Sequence, residues 1–204
     1  MNNVRKVIFL MLVATTLSAC SLIFVSAYGI KWNVKSFSED ELIEKARTLE
    51  INQHPIYQAQ PALQSLLDSL VQLDSVYFNT AKSLYQPLQL VTFDKSGKLI
   101  GAVANCDAGG YPNLNWEHLL NKCPPSSYFF VDSFPLSRSV YLANLTKVNT
   151  VELDQEGAST FVIYSHFMGR QNKRFLESAL NYHKTHAAET QLVFVNYDLE
   201  EFYE

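Results

Sequence analysis

The chain has 204 residues, 48% hydrophobic and 13% aromatic, with 20 acidic against 16 basic side chains for a net charge of -4. A body of this size buries roughly 70% of the surface its unfolded chain exposes, so it needs no disulfide framework to hold a core. Lysine and arginine form no cluster, which argues against a phosphate-binding face and nucleic acid as a partner. Modest glycine and proline content and the lack of a repeat exclude collagen-like, solenoid and low-complexity chains.

At the N-terminus Arg5 and Lys6 precede an apolar run from Val7 to Ala14, which leads into Leu17, Ser18, Ala19 and Cys20. This pattern resembles a bacterial lipoprotein signal peptide, with small residues before the cysteine that receives the lipid, Cys20. Apolar character continues through Leu22 to Val25 and on to Ile30, so residues 1–30 are also long enough for an uncleaved single-pass anchor of ~20 residues. Lys31 and Lys35 answer Arg5 and Lys6, so charge does not set the orientation. Both readings attach the chain to a membrane, and the folded part is expected outside the cytoplasm.

Residues 31–86 read as a helical region. Ser38 and Glu41 form a capping box that starts a helix with an apolar stripe of Leu42, Ile43, Ala46 and Leu49. His54, before Pro55, reads as a solvated turn residue. Pro61 opens a second helix carrying Leu63, Leu66, Leu67, Leu70 and Val71, with a possible continuation through Tyr77, Ala81 and Leu84. Its polar face holds Asp68 and Asp74 and almost no basic residues, which favours packing on a sheet or a neighbouring helix over a lipid surface.

Leu88 to Phe93 and Lys98 to Val103 flank Asp94 to Gly97, the pattern of a β-hairpin. Cys106 and Cys123 follow, separated by a turn-rich stretch and a short helical candidate from Trp116 to Leu120. In an oxidising compartment these two cysteines are expected to pair, a restriction worth about 3 kcal/mol. Two other uses are open: a redox-active pair, or soft zinc ligands together with His118. Between Pro124 and Gly157, Tyr128 to Val131 is a strand candidate and Val140 to Leu142 a short extended or helical run. The aromatic side chains there are expected in a core.

Thr160 to Asp198 is the clearest segment: a buried strand at Phe161 to Tyr164, an amphipathic helix, and a second buried strand at Gln191 to Val195. The helix places Phe175, Leu176, Ala179, Leu180 and His183 on one face and Lys173, Arg174, Glu177, Asn181 and Lys184 on the other. Two strands joined by such a helix should run parallel.

Val162 to Lys173 resembles the segment of thioredoxins in which a strand runs into the Cys-Gly-Pro-Cys motif and its helix. Val193 to Asp198 is similar to the strand that follows. Gly169 matches the motif glycine, while Met168 and Gln171 stand at the two cysteine positions with Arg170 between. The resemblance implies an α/β, thioredoxin-like domain over 87–204, rearranged or incomplete because its hairpin lies upstream with Pro87 before it. A degenerate motif of Met168, Gly169, Arg170 and Gln171 supplies no thiolate, so exchange chemistry is not expected from it.

Ser165 and His166 end the first strand and Asp198 ends the neighbouring one, a spacing compatible with a nucleophilic site at the carboxyl ends of parallel strands. His183 and His186 sit one turn apart, as some metal pairs do, with no third ligand visible. On balance the sequence assigns no catalytic residue, no metal ligand and no cofactor. The expected function is a membrane-attached envelope protein whose thioredoxin-like domain is redox-inactive and binds an envelope protein. The alternatives are a thiol-disulfide oxidoreductase using Cys106 and Cys123, or a lipoprotein that binds a metal or small ligand.

Overall fold

The computed structural model describes residues 29, 35–105, 116, 120–126 and 130–199. The elements in chain order are α1 (Glu39–Thr48), β1 (Ile56–Ala59), α2 (Pro61–Val71), α3 (Phe78–Ser83), β2 (Gln89–Phe93) and β3 (Leu99–Ala104). They continue with α4 (Arg138–Leu142), β4 (Leu145–Lys147), β5 (Ser159–Tyr164), α5 (Gly169–His186) and β6 (Gln191–Asn196). All the strands join one six-stranded mixed sheet in the order β3-β2-β5-β6-β1-β4. The chain is therefore α/β, with the parallel β5 and β6 joined by α5 as the apolar runs predict.

The alternation along β5 explains the layering. Phe161 and Ile163 face one side with Val91, Phe93, Val193 and Val195, packed under α2, α3 and α4. Val162 and Tyr164 face the other side with Leu90 and Phe194, packed under α1 and α5. Both faces are covered, so every residue of β5 is buried and the strand reads as a continuous apolar run.

The upstream hairpin joins this same sheet. β2 lies antiparallel to β5, with Leu90 opposite Val162 and Val91 opposite Phe161, and β3 closes the edge. Gly97 takes a φ of 81° in the turn, where Asp94 Oδ1 accepts hydrogen bonds from the Ser96 and Lys98 amides. The buried Arg138 ties the turn to the approach of β5: its amide donates to the Gly97 carbonyl at 2.8 Å and its guanidinium to the Gly157 and Gln155 carbonyls. Gly101 in β3 is a close approach, because a Cβ there would lie 2.5 Å from the Pro125 carbonyl oxygen. That contact seats the segment carrying Cys123 against the sheet.

Three features of the N-terminal half differ from the sequence expectation. Ile56–Ala59 is a strand parallel to β6 and antiparallel to β4, so the sheet runs across the 86/87 boundary. The second helix stops at Val71. Asp74 accepts from the Val76 amide and starts a short 3-10 turn before α3, which interrupts the continuation toward Leu84. His54 is half-buried, its ring 5.2 Å from Phe194 and 5.4 Å from His183, and is no solvated turn residue. Farther along, Val140 to Leu142 takes the helical of its two expected forms, within α4.

The capping box forms as read: the Glu41 amide bonds Ser38 Oγ, and the Ser38 amide bonds Glu41 Oε2 at 2.9 Å. At its other end α1 closes with Glu50 at φ 59°, where the Glu50 amide bonds the Arg47 carbonyl and the Ile51 amide the Ala46 carbonyl. A left-handed residue with a Cβ is strained relative to glycine by about 1 kcal/mol. Glu50→Gly is expected to leave the fold intact and raise the stability in urea unfolding by up to about 1 kcal/mol, whereas Glu50→Val should lower it.

Candidate functional site

The carboxyl ends of β5 and β6 meet at Asp198, which is 1% exposed. Its Oδ1 accepts the Ser165 hydroxyl; its Oδ2 accepts the His166 amide at 2.9 Å and the Asn196 side-chain amide at 2.8 Å. Ser165 Oγ also accepts from the Phe167 amide at 3.4 Å, starting the 3-10 turn His166–Met168 that leads into α5. Ser165, His166 and Asp198 are thus brought together as their spacing suggests, but not as a nucleophilic system. The serine proton goes straight to the carboxylate, and Ser165 is fully buried. His166 contributes its backbone, while its ring packs edge-on to Phe37 at 5.2 Å and Tyr164 at 5.5 Å. A catalytic serine needs its hydroxyl bonded to an imidazole and open to substrate. Here the carboxylate is the acceptor that fastens two strand ends and a helix start. Burial, followed by the nearby Asp198 charge, pushes the Tyr164 phenol well above its ordinary range.

The degenerate motif lies at this same end. Gly169, at φ 54°, turns the chain from the 3-10 turn into α5. Met168 is buried among Phe175, Leu88 and Tyr164 in one core cluster. Gln171 is 3% exposed, and among the described residues both polar atoms of its amide lack a hydrogen-bond partner, as does Asn172 Oδ1. No side chain caps the start of α5. A cleft of about 530 Å³ runs from here between the end of α1 and α5, lined by Leu49, Glu50, His166, Asn172, Lys173 and Glu177 among others. A second cleft, of about 510 Å³, adjoins it through Glu50 and Leu180 and reaches His54, His183, Arg47 and Lys184. The groove thus presents amides, imidazoles, the Thr48 hydroxyl and charges of both signs.

Several sequence assignments involve residues outside those described. Cys20 and all but Gly29 of residues 1–30 lie there, and among the described residues no helix is long and apolar enough to cross a membrane. Cys106 and His118 lie there too, while Trp116 is helical and its ring lies 4.4 Å from that of Phe175, tilted by 51°. Cys123 is a half-buried thiol whose Sγ accepts the Tyr182 hydroxyl at 2.9 Å. His183 and His186, paired by their spacing, serve different surroundings: His183 faces His54, and His186 bonds Glu189 at 2.8 Å. The long-range signal for the His54–His183 contact is absent from either local sequence.

Comparison with protein-family models, curated proteins and solved structures finds no match for the chain. The described residues define a mixed α/β protein with a six-stranded mixed sheet.

Asp198→Ala is expected to destabilise the protein by about 2–4 kcal/mol in denaturant titration, because buried hydroxyl and amide donors lose their acceptor. His54 gives a pH prediction. Burial, and secondarily the neighbouring His183, lower its pKa from 6.5 to about 4. The folded protein therefore binds fewer protons than the unfolded chain between those values. This contribution is full above pH 6.5 and is lost as pH falls toward 4; Arg47, Lys184 and Glu50 line the same cleft as His54. Thermal unfolding scans should show that His54→Gln loses less Tm than the parent chain between pH 7 and pH 4.

Proposed function

We propose that the protein is a membrane-attached, extracytoplasmic component of the cell envelope whose thioredoxin-like domain binds an envelope protein and does not exchange disulfides. The observation that carries this reading is the hairpin β2-β3 lying beside β5 in the sheet that contains the β5-α5-β6 unit. The thioredoxin resemblance expects a hairpin after that unit; here it precedes the unit in sequence and still joins it. The rearranged order supports one thioredoxin-like domain rather than a fragment.

The motif position supports the lack of exchange chemistry. Met168 and Gln171, which replace the two cysteines, are buried side chains at the start of α5. A thioether and an amide cannot form a mixed disulfide. The membrane attachment rests on the apolar N-terminal run ending at Cys20, as a lipidated residue or within an uncleaved anchor. In an oxidised state of the protein Cys123, a free thiol here, would pair with Cys106 as a structural bond.

Insulin reduction by the purified chain should proceed no faster than the dithiothreitol background. The Met168→Cys/Gln171→Cys variant should exceed that background at least tenfold, since it places two thiols at a helix start. Reduction by the parent chain at the rate of a competent oxidoreductase, abolished by Cys106→Ser, would instead establish the cysteine-pair enzyme.

A further inference from the structure

At the opposite end of the parallel strands, three side chains from separate segments converge. Cys123 comes from the loop seated on β3, His186 from the last turn of α5, and Glu189 from the turn before β6. Cys123 Sγ, a His186 ring nitrogen and a Glu189 carboxylate oxygen all lie within 4.8 Å of one another. From this geometry we infer that Cys123, His186 and Glu189 form a binding site for a divalent transition metal, zinc above all.

The donor set fits zinc. Thiolate, imidazole and carboxylate are the ligand types that zinc accepts together, whereas magnesium and calcium prefer an all-oxygen shell. Tetrahedral bonds of about 2.0–2.3 Å place ligand atoms roughly 3.3–3.8 Å apart, within the span these side chains already occupy. The 2.8 Å contact between His186 Nδ1 and Glu189 Oε1 would open by roughly half an ångström to admit the ion. Three protein ligands leave a fourth position for water, and Glu189, with its side chain 55% exposed, keeps the site open to solvent.

The surroundings hold the ligands in place. Tyr182 donates its hydroxyl to Cys123 Sγ and its ring packs 4.7 Å from the His186 ring. The Tyr182 hydroxyl also contacts the Thr160 hydroxyl, which belongs to a buried chain running Thr92, Thr160, Thr190 across β2, β5 and the start of β6. Such supporting hydrogen bonds orient metal ligands and tune their basicity. Metal binding and a Cys106–Cys123 disulfide compete for the same sulfur.

The test uses the full chain in detergent, reduced and stripped with chelator, then titrated with cobalt(II). A near-ultraviolet thiolate-to-cobalt band should saturate at one equivalent per chain and disappear when zinc is added. Cys123→Ser should remove the band, and Glu189→Gln and His186→Gln should weaken cobalt binding at least about tenfold. Glu189→Gln changes an exposed side chain, so it reads the site even if Cys123→Ser unfolds. Cys20→Ser/Cys106→Ser should bind as the parent does. The inference is overturned by no saturable band, by a band that survives Cys123→Ser, or by loss of the band in the double variant.

Discussion

The structure depends on β5 being paired on both sides. β6 is its local partner, supplied through α5; β2 is its distant partner, supplied by a hairpin that precedes it by a long stretch of chain. Neither partner alone would cover the strand, because each pairing satisfies one edge of its backbone. With both in place, β5 becomes a central strand buried on both faces, and the helices on either side find a continuous apolar surface to pack against. Loop-closure entropy opposes the long-range pairing, but it rises only slowly with loop length, and the apolar area buried along β2 and β5 offsets it.

Pairing at the centre also separates the two ends of the sheet chemically. At the carboxyl ends, a carboxylate consumes the serine hydroxyl and the nearby backbone donors, and the groove beside it presents amides and surface charges. At the amino ends, a chain of hydroxyls leads from the sheet interior to Tyr182 and out to the thiol of Cys123. The first end is rigidly satisfied at Asp198 and unsatisfied at Gln171 and Asn172. The second gathers thiol, imidazole and carboxylate at the surface. Binding at one end and metal at the other would occupy different residues of the same helix, α5.

What the sequence revealed follows from the range of the interactions involved. The strands around α5 were legible because each is an unbroken apolar run, and the hairpin because its turn chemistry is local, with Asp94 and Gly97 in place. The capping box was legible for the same reason. β1 was hidden: Ile56–Ala59 is four residues long, follows a proline and includes Gln58, so its strand identity comes from β6 and β4 rather than from its own pattern. The break after α2 turned on Asp74, whose side chain caps the next turn and outweighs the apolar spacing that continues beyond it. Strand-end spacing brings Ser165, His166 and Asp198 together, yet their roles depend on which atom of His166 faces the carboxylate. Cys123, His186 and Glu189 were not legible as a group, since only the i,i+3 relation between His186 and Glu189 is local.

The most direct measurement of the central claim is residue-resolved native-state hydrogen exchange. If β5 is held between β2 and β6, amides of Gln89–Phe93 facing β5 should exchange as slowly as those of Ser159–Tyr164 and Gln191–Asn196, through global unfolding. Fast exchange across β2 with β5 and β6 still protected would contradict the account, because the hairpin would then stand apart from the sheet it is said to complete.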